Sequence, residues 1–411
     1  MTDSNKNFDI IIIGAGPAGS AAALFAEKHG LKALLLEKEI YPRDKICGDA
    51  ISGKSMNVLK ELGLLEEARK LPGSVIDSFA FGSPAGKVIE IALNPDKGDD
   101  EPKGLVIQRK VFDPFLFEYA KKAAAETLEG FQVNDIIKEN EKVCGVIGKN
   151  KDGLEQRFYG KIIIGADGYQ SIVARKTGIY NRDPKHWVVA LRQYYKNVET
   201  KEGVIEIHFV DEIIPGYFWI FPMNDGIVNV GIGMLYEAIK KDNINLKNEM
   251  KDIIQNNPLF RERFEGAEAL EEPKGWNLPV GSMRRKISGN GFMLLGDAAG
   301  LIDPFSGEGI GNALYSAKIA VEQAQKAVET DNFGAEFLKH YEDILWKKIG
   351  GELRLSTKLQ KLGRKKALLN LVINKAHKNS EINQLLTDII TGKLPKTKLI
   401  NPMFYMKILF N

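Results

Sequence analysis

"FDIIIIGAGPAGSAAALFAEKHGLKALLLEKE", residues 8–39, decides the fold. It opens on an unbroken apolar run, as a parallel strand buried on both faces requires. Gly14-x-Gly16-x-x-Gly19 follows, then a small-residue helix expected over 17–29, then a second strand, "KALLLE", ending at Glu37. This is a βαβ unit with an acidic residue 23 positions after its first glycine. Gly14 permits the tight turn, Gly16 lets a pyrophosphate approach the backbone, and Gly19 brings helix and strand together, with Ala18 in the same turn. The helix start supplies amide donors and positive potential, and Glu37 can accept from a ribose hydroxyl. The unit predicts a dinucleotide site.

Two later stretches separate flavin from nicotinamide. "KIIIGADGYQSIVAR", residues 161–175, is another apolar strand, ending in Asp167-Gly168. "GNGFMLLGDAAGLIDPFSGEGIGNALYSAKIA", residues 289–320, is a strand ending in Gly296-Asp297, followed by Pro304 and by Gly307-x-Gly309-x-Gly311 opening a long helix through Ile310. An Asp at a strand end can hold a ribityl hydroxyl, and a glycine-rich helix start can point amides at the charge that builds on a reduced flavin. A nicotinamide enzyme needs neither feature. FAD is the expected cofactor, and no second G-x-G-x-x-G occurs. The electron donor, NAD(P)H or ferredoxin, is therefore expected to bind only transiently.

The chain has 411 residues, 44% of them hydrophobic, which fits an enzyme-sized globular protein of two or three domains or one large discontinuous one. No stretch approaches the roughly 20 apolar residues of a membrane span, and the start "MTDSNKNFDIIII" lacks the layout of a signal peptide. A cytoplasmic protein is expected. The two cysteines, Cys47 and Cys144, form no disulfide framework; Cys144 reads as packing. The net charge of +3 conceals an asymmetry, because residues 341–411 hold 14 Lys/Arg against 5 Asp/Glu. Basic and apolar runs alternate there, as in "LGRKKALLNLVINKAHK", so this tail is expected to be a docked helical appendage that can meet the anionic inner face of a membrane. Nothing resembles a nucleic-acid module, and no metal site is expected.

The fingerprint, the Asp-Gly stretch and the Gly-Asp stretch stand in the order of the FAD-dependent p-hydroxybenzoate hydroxylase-type fold, which the chain resembles from about residue 8 to about 325. Within it, "YPRDKICGDAISG", residues 41–53, is similar to the K-x-C-G stretch of geranylgeranyl reductases, which hydrogenate isoprenoid double bonds. In this chain Asp49 and Ala50 follow Cys47-Gly48 where that family more often continues with glycines. The resemblance places Lys45, Cys47, Gly48 and Asp49 where the chain passes over the cofactor. It also places Arg109 over the FAD phosphates and Val133 at the adenine. Cys47, in a glycine-adjacent turn near Arg43 and Lys45, is a candidate for flavin positioning or proton delivery.

The expected architecture is α/β. A Rossmann-like FAD-binding domain (1–75, 104–180, 286–330) carries an inserted antiparallel substrate sheet (76–103, 181–285), and a C-terminal helical region (331–411) follows. In "PGYFWIFP", residues 215–222, Tyr217, Trp219 and Phe221 alternate and share one face of a strand. Asn224-Asp225-Gly226 supplies a hairpin turn to "IVNVGIGM". A two-residue loop would set the three rings beside Val230, Ile232 and Met234, with Gly231 and Gly233 on the opposite face. The reductase family carries P-x-x-Y-x-W-x-F-P here. Tyr217, Trp219, Phe221 and Pro222 match it, while Pro215 stands one residue nearer the tyrosine. The resemblance implies reduction of polyprenyl carbon–carbon double bonds, with Tyr217, Trp219 and Phe221 lining the substrate site and Cys47 or Tyr217 giving the proton. The alternatives are a flavin monooxygenase or halogenase on the same fold and a non-catalytic prenyl-lipid binding protein.

Overall fold

The computed structural model describes residues 2–93, 104–391 and 393–410. Residues 94–103, the end of the segment expected at 76–103, lie outside them. Strand Thr2–Ile13 runs parallel between Ala33–Leu36 and Glu155–Gly165, and the parallel order extends to Glu126–Leu128 on one side and Phe292–Leu294 on the other. Ile10, Ile11 and Ile12 are fully buried, which is why this strand carries no polar alternation. Each such side chain contributes roughly 1.5–3 kcal/mol of burial.

Helix Pro17–Lys28 starts directly after Gly16, with Pro17 in its first position, where a missing N–H costs little. A Cβ at Gly19 would stand 1.7 Å from the Gly14 carbonyl oxygen, so only glycine permits this crossing of helix on turn. Helix Ile310–Glu329 packs against the same helix.

The second sheet runs Val88–Ala92, Ser78–Gly82, Val204–His208, Gly216–Pro222, Ile227–Leu235, Trp187–Lys196. Both Lys274–Pro279 and Glu268–Ala269 pair with the last of these. One pair, Ser78–Gly82 with Val204–His208, is parallel, which corrects the expectation of a purely antiparallel sheet. The chain builds much of the first sheet between those two strands, and a long crossover is what a parallel pair needs.

The facing of the aromatic strand also differs from expectation. Tyr217 pairs with Gly233, Trp219 with Gly231 and Phe221 with Asn229, so the rings share their face with the glycines, while Phe218 and Ile220 lie beside Ile232 and Val230. The cause is parity. Met223 N–H donates to the Ile227 carbonyl at 2.8 Å, leaving three residues in the turn rather than two. Asp225 and Gly226 both take positive φ, 57° and 66°, to close it. An odd loop shifts the register by one residue and exchanges the faces.

The chain ends in helices Ala335–Leu362, Lys366–Lys378, Ser380–Ile390 and Pro402–Phe410. Ile373, Ile382, Leu386, Ile389, Phe404 and Ile408 pack on Ile89 and Ile91 and on Phe209, which covers the edge of the second sheet. Met403 and Met406 face outward, 73% and 57% exposed. Among the described residues, no helix is long and apolar enough to cross a membrane.

Candidate active site

A cavity of about 1080 Å³ lies between the two sheets. Gly14, Gly16, Ala18, Glu37 and Val133 border it, as do Asp167, Gly168, Asp297, Gly307, Gly309 and Ile310. Lys45, Cys47, Gly48, Asp49 and Arg109 join them, and Tyr217, Trp219 and Phe221 form the wall supplied by the second sheet. Gly19 and Gly296 do not border it. Gly296 faces Ala313 and Ala18, where a Cβ would approach to 3.0 and 3.5 Å, so it spaces helices instead.

The first-sheet end fits a dinucleotide. Gly14 takes φ +93°, and a Cβ there would meet the Ala166 carbonyl oxygen at 2.6 Å. A Cβ at Gly16 would meet nothing within 4 Å except an Arg43 guanidinium nitrogen at 3.8 Å, which leaves the helix start open to a phosphate. Glu37 accepts from the backbone N–H of Ala15 at 2.6 Å and of Glu39 at 2.9 Å, so its carboxylate pins the glycine turn while bordering the cavity. Asp167 accepts from the Ile172 N–H at 2.6 Å, whereas its Oδ1 is buried without a partner. Burial raises its pKa. An unsatisfied buried acceptor at a strand end suits a ligand hydroxyl. These residues fit FAD.

Arg109 forms two hydrogen bonds to Asp113, at 2.5 and 2.8 Å, and Asp113 also holds Arg43 at 2.9 Å. The carboxylate thus fixes both guanidinium groups beside the glycine turn, a role sequence reasoning missed because Asp113 reads as an ordinary helix residue. Lys45 Nζ lies 4.0 Å from the centre of the Trp276 ring. Burial pushes this ammonium down to about 8, against the pull of Asp297.

At the helix start 310–329, the Gly311 N–H donates to Glu308 at 2.6 Å, which leaves Gly309 and Ile310 as the helix-start residues on the cavity. Burial raises the Glu308 pKa.

The 47–49 turn is anchored by residues that the sequence reading passed over. Asp49 adopts φ 64°, the left-handed region glycine favours, and is fully buried. Its carboxylate accepts from Tyr194 hydroxyl at 2.6 Å, Asn229 Nδ2 at 2.8 Å and the Arg109 N–H at 3.3 Å. These bonds hold an aspartate where the related family more often has glycine. Burial pushes Asp49 up to about 6, with Tyr194, Arg192 and Asn229 opposing. Arg192, also fully buried, lies 3.9 Å from the Tyr194 ring centre and bonds Asp44 at 2.8 Å and Glu271. The visible sign of the anchor is Asn229 itself, one polar residue inside the apolar run "IVNVGIGM".

The aromatic wall closes on that turn. A Cβ at Gly48 would meet Phe221 at 3.2 Å, and one at Gly231 would meet Trp219 at 2.2 Å. Tyr217 donates to the Ser306 carbonyl at 3.0 Å, and burial raises its pKa. Pro215, after a cis Ile214–Pro215 peptide, borders the cavity too. Cys144 lies in the strand Lys142–Lys149, where its thiol donates to the Ile137 carbonyl at 3.6 Å, outside this site. Among the described residues no group of histidine, cysteine, aspartate and glutamate could hold a metal ion.

A glycine-turn dinucleotide site facing an aromatic wall defines a flavoprotein oxidoreductase. Residues 7–343 match the FAD binding domain family. The chain is 35% identical to digeranylgeranylglycerophospholipid reductase 2 of Methanococcoides burtonii, over 85% of this chain and 82% of that protein. It is 34% identical to digeranylgeranylglycerophospholipid reductase of Methanosarcina acetivorans, over 84% and 81%. It belongs to this family of FAD-dependent reductases. Among solved structures it resembles a geranylgeranyl bacteriochlorophyll reductase-like protein from Thermoplasma acidophilum, with TM-score 0.82 and 26% identity over 91% of this chain and 92% of that one. A flavin-dependent brominase, TM-score 0.76 and 23% identity over 94% of each chain, shares the fold.

Proposed function

We propose that this FAD-dependent reductase hydrogenates the isolated double bonds of a digeranylgeranylglycerophospholipid or a closely related polyprenyl lipid. One observation carries the reading: the wall opposite the cofactor turn is a stripe of aromatic and aliphatic side chains, Tyr217, Trp219 and Phe221 with Ile205 and Ile207. An isolated alkene offers no hydrogen-bonding handle, so a site for it must work by shape and by excluding water. The segments 1–75, 104–180 and 286–330 hold the cofactor in this reading, and 76–103 with 181–285 hold the lipid.

Bound and reduced, FAD supplies a hydride to one alkene carbon. The chain supplies the rest. Gly14, Gly16 and Asp167 hold the dinucleotide, and Arg43 and Arg109 set positive charge beside it. Trp219 and Phe221, packed beside the 47–49 turn, form the apolar wall against which the alkene lies. Cys47 and Tyr217 are the proposed proton donors for the second carbon. The Tyr217 hydroxyl, kept protonated by burial and directed at Ser306, has to turn to reach substrate. The electron donor, NAD(P)H or ferredoxin, docks transiently. The basic C-terminal helices, with Met403 and Met406 outward, seat the protein on an anionic membrane surface from which the lipid is drawn.

Anaerobic incubation of the dithionite-reduced protein with a panel of polyprenyl lipids tests the assignment. Products heavier by two hydrogens per double bond are expected; a product formed only with oxygen would point to monooxygenase or halogenase chemistry instead. Co-flotation with anionic but not neutral vesicles checks the membrane seat.

A further inference from the structure

Trp219 and Cys47 both border the cavity, one from the second sheet and one from the loop that follows the glycine turn. A single side chain joins them. Asn229, fully buried, accepts from Trp219 Nε1 through Oδ1 at 2.8 Å. Its Nδ2 donates to the Cys47 carbonyl at 2.9 Å and to Asp49 Oδ2 at 2.8 Å. The chemistry of the partners fixes which way the carboxamide points. An indole N–H can only donate, and a carbonyl and an ionised carboxylate can only accept, so the flipped amide would set like against like three times. Both N–H groups and the oxygen are in use. No aliphatic residue and no aspartate satisfies this set, although every neighbour in "IVNVGIGM" is apolar or glycine.

We propose that Asn229 is a positioning residue of the reduction: it fixes the orientation of Trp219 against the Cys47–Asp49 turn, and so the place of the aromatic wall on which the alkene lies. The proposal rests on the reductase reading for what the wall holds. Three features make the carboxamide a tie from the second sheet to the turn rather than packing within one sheet. Its bonds run to residues 182 and 180 positions away, outside its own sheet. A Cβ added at Gly48 would stand 3.2 Å from Phe221, the cross-strand neighbour of Asn229, and 3.8 Å from Trp219 Nε1, so only a glycine lets the turn lie this near the two rings. Asp49, the third party, has its conformation held by three donors, one of them Asn229.

The test uses the FAD-loaded protein with Asn229→Ala, Trp219→Phe and the double variant. Trp219→Phe keeps a ring and removes the indole N–H, so it cuts the same strut from the other end if Asn229→Ala fails to fold. Single-turnover reduction of digeranylgeranylglycerophospholipid is expected to slow by about 10- to 100-fold in each single variant, the scale of a misplacement near 1 Å. FAD affinity should stay within about threefold, and the double variant should be no slower than the worse single one. Multiplying losses, an unchanged rate, or a rate loss matched by loss of FAD would overturn the proposal. A second readout does not depend on turnover: the indole N–H of Trp219, followed by nitrogen-15 labelling, should shift and lose exchange protection in Asn229→Ala. If no lipid is reduced by the unsubstituted protein, the reductase reading fails, and that indole signal still decides whether the strut exists.

Discussion

Asp49 shows what a buried charge costs at one residue. Its folded pKa, pushed up to about 6 by burial, lies above the ordinary carboxylate value of 3.8. The folded chain therefore binds this proton more tightly than the unfolded chain, and stability falls as pH rises from about 4 to about 6, by up to about 3 kcal/mol. Asp49→Asn, which tolerates positive φ, should flatten that dependence in urea unfolding between pH 4 and 7. Glu206 has the opposite sign. Hydrogen bonds from His208 at 2.8 Å and Arg263 at 2.5 and 2.8 Å overcome its burial and bring it down to about 2. Its contribution is complete above the unfolded value of 4.5 and is lost as pH falls toward 2. Glu206→Gln should cost about 3 kcal/mol at neutral pH and leave the acid limb of the stability curve shallower.

At the scale of elements, the strand Gly216–Pro222 and its turn carry the substrate side. Trp219→Ala should lower alkene reduction by about tenfold or more while FAD binding persists, measured by flavin absorbance and single-turnover rate. Gly231→Ala should be more disruptive, because its Cβ would meet the Leu191 carbonyl oxygen of the paired strand as well as Trp219, each at 2.2 Å, so folded yield and reduction rate should fall together. The βαβ unit was legible in the sequence because its signals are local: an apolar run, three glycines and Glu37 within 30 residues. The side-chain period of the aromatic strand was legible too. Its facing was not, because "NDG" fits a two- or a three-residue turn and the choice lies in backbone angles at Asp225 and Gly226. Asn229 and Asp113 escaped for a related reason: Asn229 stands out in an apolar run and Asp113 lies four residues from Arg109, but the partners that give them their roles, the 47–49 turn and Arg43, are set by tertiary contact.

Across the whole molecule, the two sheets face one another over the cavity, and residues from both border it. Polar ties join the two sides at several points, among them Asn229 to the 47–49 turn, Tyr194 to Asp49, Tyr217 to Ser306, and Arg192 and Lys274 to Asp44. The expected cofactor would thus also be a structural layer, one course of masonry between two walls. Its removal should do more than abolish activity. Loaded protein should melt in one cooperative step, and apoprotein in two, with the second sheet and its helical cover losing order first; differential scanning calorimetry with and without FAD reads this directly. A protein assembled in this way would register whether it carries its flavin in its own resistance to unfolding, so that an empty copy is the one a protease finds.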